Sequence, residues 1–275
     1  MARILMIDPE PYLLKALEAS PVLAGHGITA AAGDVDALRR LRSGAYDVVL
    51  TSPSTTVEED LVMLDEIQRT RRGVRTIVLA DRTSRRDVVE ALSARVFAVF
   101  SRPFDAGEIA AMVSGAVASP PGHDGIVILS AVADWVAVRL DCSLITAERL
   151  LRFISELQSE VPGTQREGLL IAYREVLLSA IGHGSGLSPW TLVDVAAIRT
   201  ERSIVFYVKH PGYGFDAPRL PAGILDDGTV LPALLPHDEA SSLTDQYRLL
   251  VARTVVDEMF YSEGANEVVL IKYTR

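Results

Sequence analysis

The 275-residue chain contains one cysteine, Cys142, so no internal disulfide can form. A lone thiol of this kind is read as a small buried apolar residue. Aromatic residues make up 6% of the chain, so aliphatic side chains have to build the core. No apolar run reaches about 18 residues, the length a membrane-spanning helix needs. No signal-peptide pattern opens the sequence, and a cytoplasmic protein without a membrane partner is expected. Basic residues are in the minority, with 27 Lys and Arg against 36 Asp and Glu. Counted by half, residues 1–118 carry 14 basic against 16 acidic, and 119–275 carry 13 against 20. Neither half has the excess of positive charge that a phosphate backbone requires, so nucleic acid is not expected as a partner. No metal site is assigned.

What is present is material for folded domains. Apolar residues reach 49% and charged residues 23%, a globular balance, and the length suits about two domains. Short apolar runs at 2–7, 27–31, 47–50, 75–80 and 96–100 have strand length. Helical periodicity covers 12–19, 35–41, 61–69, 86–94 and 106–117. Five strands alternating with five helices predict an α/β fold, a doubly wound parallel sheet over 1–118. The proline- and glycine-containing stretch 119–124 reads as a linker.

Asp8 follows the first strand, Ser52 the third, and Arg102-Pro103-Phe104 the fifth, while Ala80 ends the fourth. This layout resembles a response-regulator receiver domain, whose fold is flavodoxin-like. Such domains place two carboxylates after strand one, a phosphoacceptor Asp after strand three, a hydroxyl after strand four and Lys-Pro after strand five. The resemblance implies a degenerate site at Asp8, Ser52, Ala80 and Arg102. A seryl hydroxyl cannot form an acyl phosphate, and a lone Asp8 beside Pro9 offers Mg²⁺ too few oxygens. Arg102 presents a planar fork where a point ammonium is usual, and it is expected to pair with Asp8. A pseudo-receiver follows, acting through its surfaces, with 86–100 as a pairing face or a core.

Beyond the linker, 126–131 and 135–140 read as strands. Thr146 is expected to cap a helix over 147–160, and 192–199 with 204–208 form a hairpin. The segment 168–184, GLLIAYREVLLSAIGHG, has an apolar face at Leu170, Ile171, Val176, Leu177 and Ile181. Glu175, Ser179 and His183 form a polar stripe at i, i+4, i+8, and Gly182 and Gly184 are read as the helix stop. His210-Pro211-Gly212-Tyr213-Gly214-Phe215 follows the hairpin, and the chain closes on a helix and a strand ending Ile271-Lys272-Tyr273.

That order of motifs resembles the GHKL-type ATPase domain of bacterial anti-sigma serine kinases, and implies an α+β two-layer sandwich over 125–275. The resemblance places a catalytic Glu at Glu175, and ATP and Mg²⁺ contacts at Ser179, His183, His210, Gly212 and Gly214. It places a nucleotide lid over 217–246. It also implies a sigma factor or an anti-sigma antagonist as partner. Three departures stand against an intact site. Ser179 replaces the metal-holding Asn, His210 replaces the adenine-reading Asp, and the phosphate-binding turn at 243–248 lacks glycine. A non-catalytic signalling protein, with a homodimer as a candidate state, is the expectation. An ATP-dependent protein serine kinase is the alternative, and a pocket for another ligand rimmed by His210 and Tyr213 is a third.

Overall fold

In the computed structural model the chain divides into two compact units, Met1–Asp124 and Gly125–Arg275. The structure describes residues 1–185, 191–211 and 241–274, of which 183–185 and 241–247 by backbone alone.

The first unit runs β1 (Arg3–Ile7), α1 (Pro11–Glu18), β2 (Gly27–Ala31), α2 (Asp34–Ser43), β3 (Val48–Leu50), α3 (Val57–Thr70), β4 (Arg75–Ala80), α4 (Arg85–Ser93), β5 (Ala98–Ser101) and α5 (Ala106–Ala118). A 3-10 turn, Pro21–Leu23, precedes β2. All strand pairs are parallel, in the order β2-β1-β3-β4-β5. The central strands are buried on both faces, as continuous runs such as Ile4-Leu5-Met6-Ile7 require.

Helix α3 begins four residues before its apolar periodicity. The Thr56 hydroxyl accepts from Glu59 N–H at 3.3 Å, and the Glu59 carboxylate accepts from Thr56 N–H at 2.8 Å. This reciprocal pair satisfies two orphan donors. Ser84 and Asp87 do the same for α4. Val88, Val89, Leu92, Val96 and Phe97 are all buried, so these apolar residues of 86–100 belong to the unit's own core.

The second unit runs β6 (Ile126–Val132), β7 (Trp135–Asp141), α6 (Leu144–Leu157), α7 (Gly163–Ser185), β8 (Leu192–Arg199), β9 (Ser203–Lys209), α8 (Ser241–Val255), β10 (Glu258–Tyr261) and β11 (Glu267–Tyr273). Its six strands form one antiparallel sheet in the order β10-β11-β9-β8-β7-β6. Val136, Val138, Val193, Val195, Ile204, Phe206, Val208, Val268 and Leu270 alternate onto the face that the helices cover. Helix α7 packs between α6 and α8 and lies over β8, β9 and β11.

Several expectations are corrected here. Gly182 does not stop α7, which continues to Ser185. A glycine costs about 1 kcal/mol inside a helix, and burial of this helix among its neighbours offsets that. Ile171 faces solvent at 46% exposed, whereas Leu169, Ala172 and Tyr173 carry the buried face. Thr146 is not a cap. Helix α6 starts after Ser143, and Thr146 is buried within its first turn against Gly125. The stretch 243–248 lies inside α8 and forms no turn. Strand β10 was not anticipated. Cys142 is half-buried, and its thiol lies 3.5 Å from the Thr191 carbonyl oxygen.

Candidate functional site

In the first unit the carboxyl ends of the parallel strands bring together Asp8, Ser52, Ala80 and Arg102, the place where such sheets put their sites. Asp8 leaves β1 with φ of 42° and donates its N–H to the Ala31 carbonyl at 2.8 Å. Its side chain is exposed, and Asp8 Oδ2 lies 3.5 Å from the Ser52 hydroxyl. Ser52 is 4% exposed, and its Oγ accepts the Ser54 N–H at 3.1 Å. Ala80 is buried and offers no hydroxyl.

Arg102 does not reach across to Asp8. Its guanidinium pairs with Glu10, and its Nε lies 3.0 Å from Asp81 Oδ1. It also lies over the Phe104 ring at 4.9 Å. Planar stacking and two carboxylates suit a guanidinium better than an ammonium. The cation is held at the mouth by residues the sequence reading did not single out.

Beneath Ser52 lies a second group that was also missed. Asp60, in the first turn of α3, is 3% exposed. Thr51 Oγ1 donates to Asp60 Oδ2 at 2.7 Å and accepts the Leu79 N–H at 3.1 Å. Thr55 Oγ1 lies 2.7 Å from Asp60 Oδ1 and 2.7 Å from the Ser52 carbonyl oxygen. Burial pushes the Asp60 carboxyl up to about 6, against the lowering effect of the two threonine hydroxyls. The network ties β4, the β3–α3 loop and α3 together under the position where a receiver carries its phosphoacceptor. Only a helix-start pattern, Thr-x-x-Glu-Asp, hinted at it.

The strand order β2-β1-β3-β4-β5, with the site at the strands' carboxyl ends, is the flavodoxin-like order found in receivers. The first unit has the fold of a receiver domain. No protein-family model matches the sequence. The transcriptional regulatory protein GlrR of Escherichia coli (strain K12) is 28% identical over 104 residues, which are 38% of this chain and 23% of that protein. The transcriptional regulatory protein QseF of Escherichia coli O157:H7 matches to the same extent. The chain thus spans about a quarter of the length of these curated relatives. Among solved structures, the non-phosphorylated HemR receiver domain from Leptospira biflexa is 14% identical with a TM-score of 0.39. That match covers 45% of this chain and 99% of that one. A CheY-like receiver domain protein from Methanospirillum hungatei JF-1 is 18% identical with a TM-score of 0.36, covering 41% of this chain and 90% of its own.

At the carboxyl ends of the strands the first unit thus carries one exposed carboxylate, Asp8, a buried serine, Ser52, and an arginine, Arg102, held by Glu10 and Asp81. Among the described residues no group of three or more His, Cys, Asp or Glu is placed to hold a metal ion.

In the second unit, α7 carries Glu175 and Ser179. Glu175 is half-buried, 3.6 Å from Arg248 Nε and 3.9 Å from Arg174 Nη1. Burial raises its pKa, and the two arginines pull it back down. Ser179 is fully buried, as is His210 at the end of β9. His210 N–H donates to the Asn266 carbonyl at 3.1 Å, and its own carbonyl accepts from Asn266 Nδ2 at 3.4 Å. His210 is thus buried at the end of β9, and Tyr213, its companion in the pocket reading, lies outside the described residues. Tyr173 stacks on Phe206 at 4.0 Å, and its buried hydroxyl has no hydrogen-bond partner among the described residues.

Gly212, Gly214, Tyr213 and the lid segment up to 240 lie outside the described residues, as does the side chain of His183. The residues that are described fit Mg·ATP poorly. The Ser179 hydroxyl would have to reach a cation from a fully buried position, and the one carboxylate on this stripe already faces two arginines.

Proposed function

We propose that this chain is a signal-transduction regulator whose receiver unit works without phosphoryl transfer and whose second unit, similar in motif order to GHKL anti-sigma kinases, acts by binding a protein. The observation that carries this reading is the receiver site. A receiver needs a carboxylate to take the phosphoryl group and a cluster of oxygens to hold Mg²⁺. Here a buried serine occupies the acceptor position, and Arg102 is held by Glu10 and Asp81. The printed names of the curated relatives, transcriptional regulatory proteins, agree with a role in regulation. A sigma factor or its antagonist is the partner class that the motif order suggests.

The competing reading is an ATP-dependent protein serine kinase. Its support is Glu175, whose half-buried carboxyl with a raised pKa suits a general base. Thermal unfolding with and without millimolar Mg·ATP separates the two. A ligand at about 100 times its dissociation constant adds about 2.7 kcal/mol of stability. The protein-binding reading expects an unchanged melting temperature. A rise of several degrees would show that Mg·ATP binds, and radiolabel transfer from ATP to an anti-sigma antagonist, lost in Glu175→Ala, would favour the kinase.

A further inference from the structure

Helices cover one face of the six-stranded sheet of the second unit, and no described helix lies on the other. Cross-strand register lays this outer face out in rows. One row is charged: Arg139, Asp194, Lys209, Glu267. The next is Ala137, Ala196, Tyr207, Val269, Phe260. The third is Trp135, Ile198, Val205, Ile271, Glu258. Val132, Trp135 and Phe260 are 54%, 51% and 51% exposed, and the central residues of the rows are partly exposed. Strands such as β9, SIVFYVK, and β11, EVVLIKY, thus carry large apolar side chains on both faces. That is the pattern of a sheet buried on both sides, and an apolar patch of several hundred Å² marks an interaction surface.

We propose that this face is a self-association surface, pairing with the same face of a second copy of this chain about a two-fold axis running between β8 and β9. The arrangement is self-complementary, as an isologous contact demands. The charged row reads plus, minus, plus, minus across the sheet. A two-fold along the strands reverses it. Lys209 then faces Asp194 of the second copy, and Glu267 faces its Arg139. Within each chain these charges already pair, Arg139 with Asp194 at 2.8 Å and Lys209 with Glu267 at 2.6 Å, so the contact would build one eight-charge network.

Size follows the same symmetry. Tyr207 faces Ala196, Val269 faces Ala137, and Phe260 faces Ser130, which pairs with Ala137 on β6. In this row each large side chain meets a small one, as interdigitating sheets about 10 Å apart require, whereas the third row sets Trp135 against Ile271, Ile198 against Val205 and Glu258 against Val132. Six strands about 4.8 Å apart and about 20 Å long give a face of roughly 600 Å². Two copies would then bury roughly 1,200 Å², the lower end for a stable interface. The inference does not depend on the proposed function.

The test is the mass of the full chain in solution, by light scattering or sedimentation, for the wild type, Asp194→Lys, Lys209→Asp and a one-to-one mixture of the two variants. Wild type should have the mass of two chains. Each variant alone places like charges opposite each other and should dissociate at least tenfold more readily. The mixture restores opposite charges across the axis and should recover the dimer. Should either charge variant melt below the wild type, Val205→Lys, on the apolar third row, decides in its place and should also be monomeric. A one-chain mass for the wild type at roughly 100 μM, a hundredfold above a micromolar dissociation constant, overturns the proposal. A dimer that survives these variants is held elsewhere and overturns it too, as does a mixture of well-folded variants that stays monomeric.

Discussion

Asp60 shows how one side chain can be placed by burial against its own charge. Its carboxyl sits under the receiver site with both oxygens satisfied by threonines, yet burial outweighs those hydrogen bonds and pushes its pKa up to about 6. The unfolded carboxyl ionises near its ordinary value of about 3.9. Between about pH 4 and pH 6 the unfolded state therefore loses this proton while the folded state keeps it. Stability falls as pH rises through that window, by roughly 2–3 kcal/mol in total. Asp60→Asn copies the protonated form and should remove this slope. Amide hydrogen exchange in β3 and β4 at pH 4.5 and pH 7 measures it. Equal pH dependence in wild type and variant would show that Asp60 does not titrate there. Arg102 makes the complementary point. Its position after β5 was legible, but its partners, Glu10 and Asp81, come from two other loops that only the sheet order brings near.

At the scale of elements, the strands of the receiver unit were read within about two residues because buried parallel strands are uninterrupted apolar runs. Helix starts were less legible where a cap, not periodicity, sets them, as with Thr56 and Glu59 at α3. Thr146 has cap chemistry, but tertiary packing uses it differently. Gly125 has φ of 74°, and a Cβ added there would overlap Thr146 Oγ1 and lie 2.9 Å from Asp141 Oδ2. Both the backbone and the neighbours forbid a side chain. Gly125→Ala should destabilise the second unit by about 1–3 kcal/mol, from the strain of a positive φ with added crowding. Chemical denaturation followed by tryptophan fluorescence would register it, because Trp135 lies in that unit. A neutral Gly125→Ala would mean that the β6–α6 junction relaxes freely. Helix α7 is the converse case. Its apolar residues occupy most of its circumference, so a one-face reading assigned Ile171 inward and expected a stop at Gly182, while three packed neighbours keep the helix going.

At the scale of the molecule, composition sets a boundary that the fold does not alter. With a formal charge of −9 and acidic residues in excess in both halves, the chain should not retard duplex DNA near 150 mM salt, and a mobility-shift titration checks this. Retardation by specific sequences would demand a basic surface that the charge count does not foresee. No described helix is long and apolar enough to cross a membrane. The sequence by itself determined the alternation of strands and helices, the five-stranded parallel sheet and the residue identities Asp8, Ser52, Ala80 and Arg102 at its strand ends. Those properties are local: apolar run length, residue identity and turn chemistry. Tertiary structure decided the clamp on Arg102, the buried Asp60 network, the burial of Ser179 and His210, and the row-patterned outer face of the second sheet. Each of these depends on strand register and on contacts distant in sequence. Because strand faces alternate with every residue, the sequence can name the two faces but cannot say which of them the helices will cover.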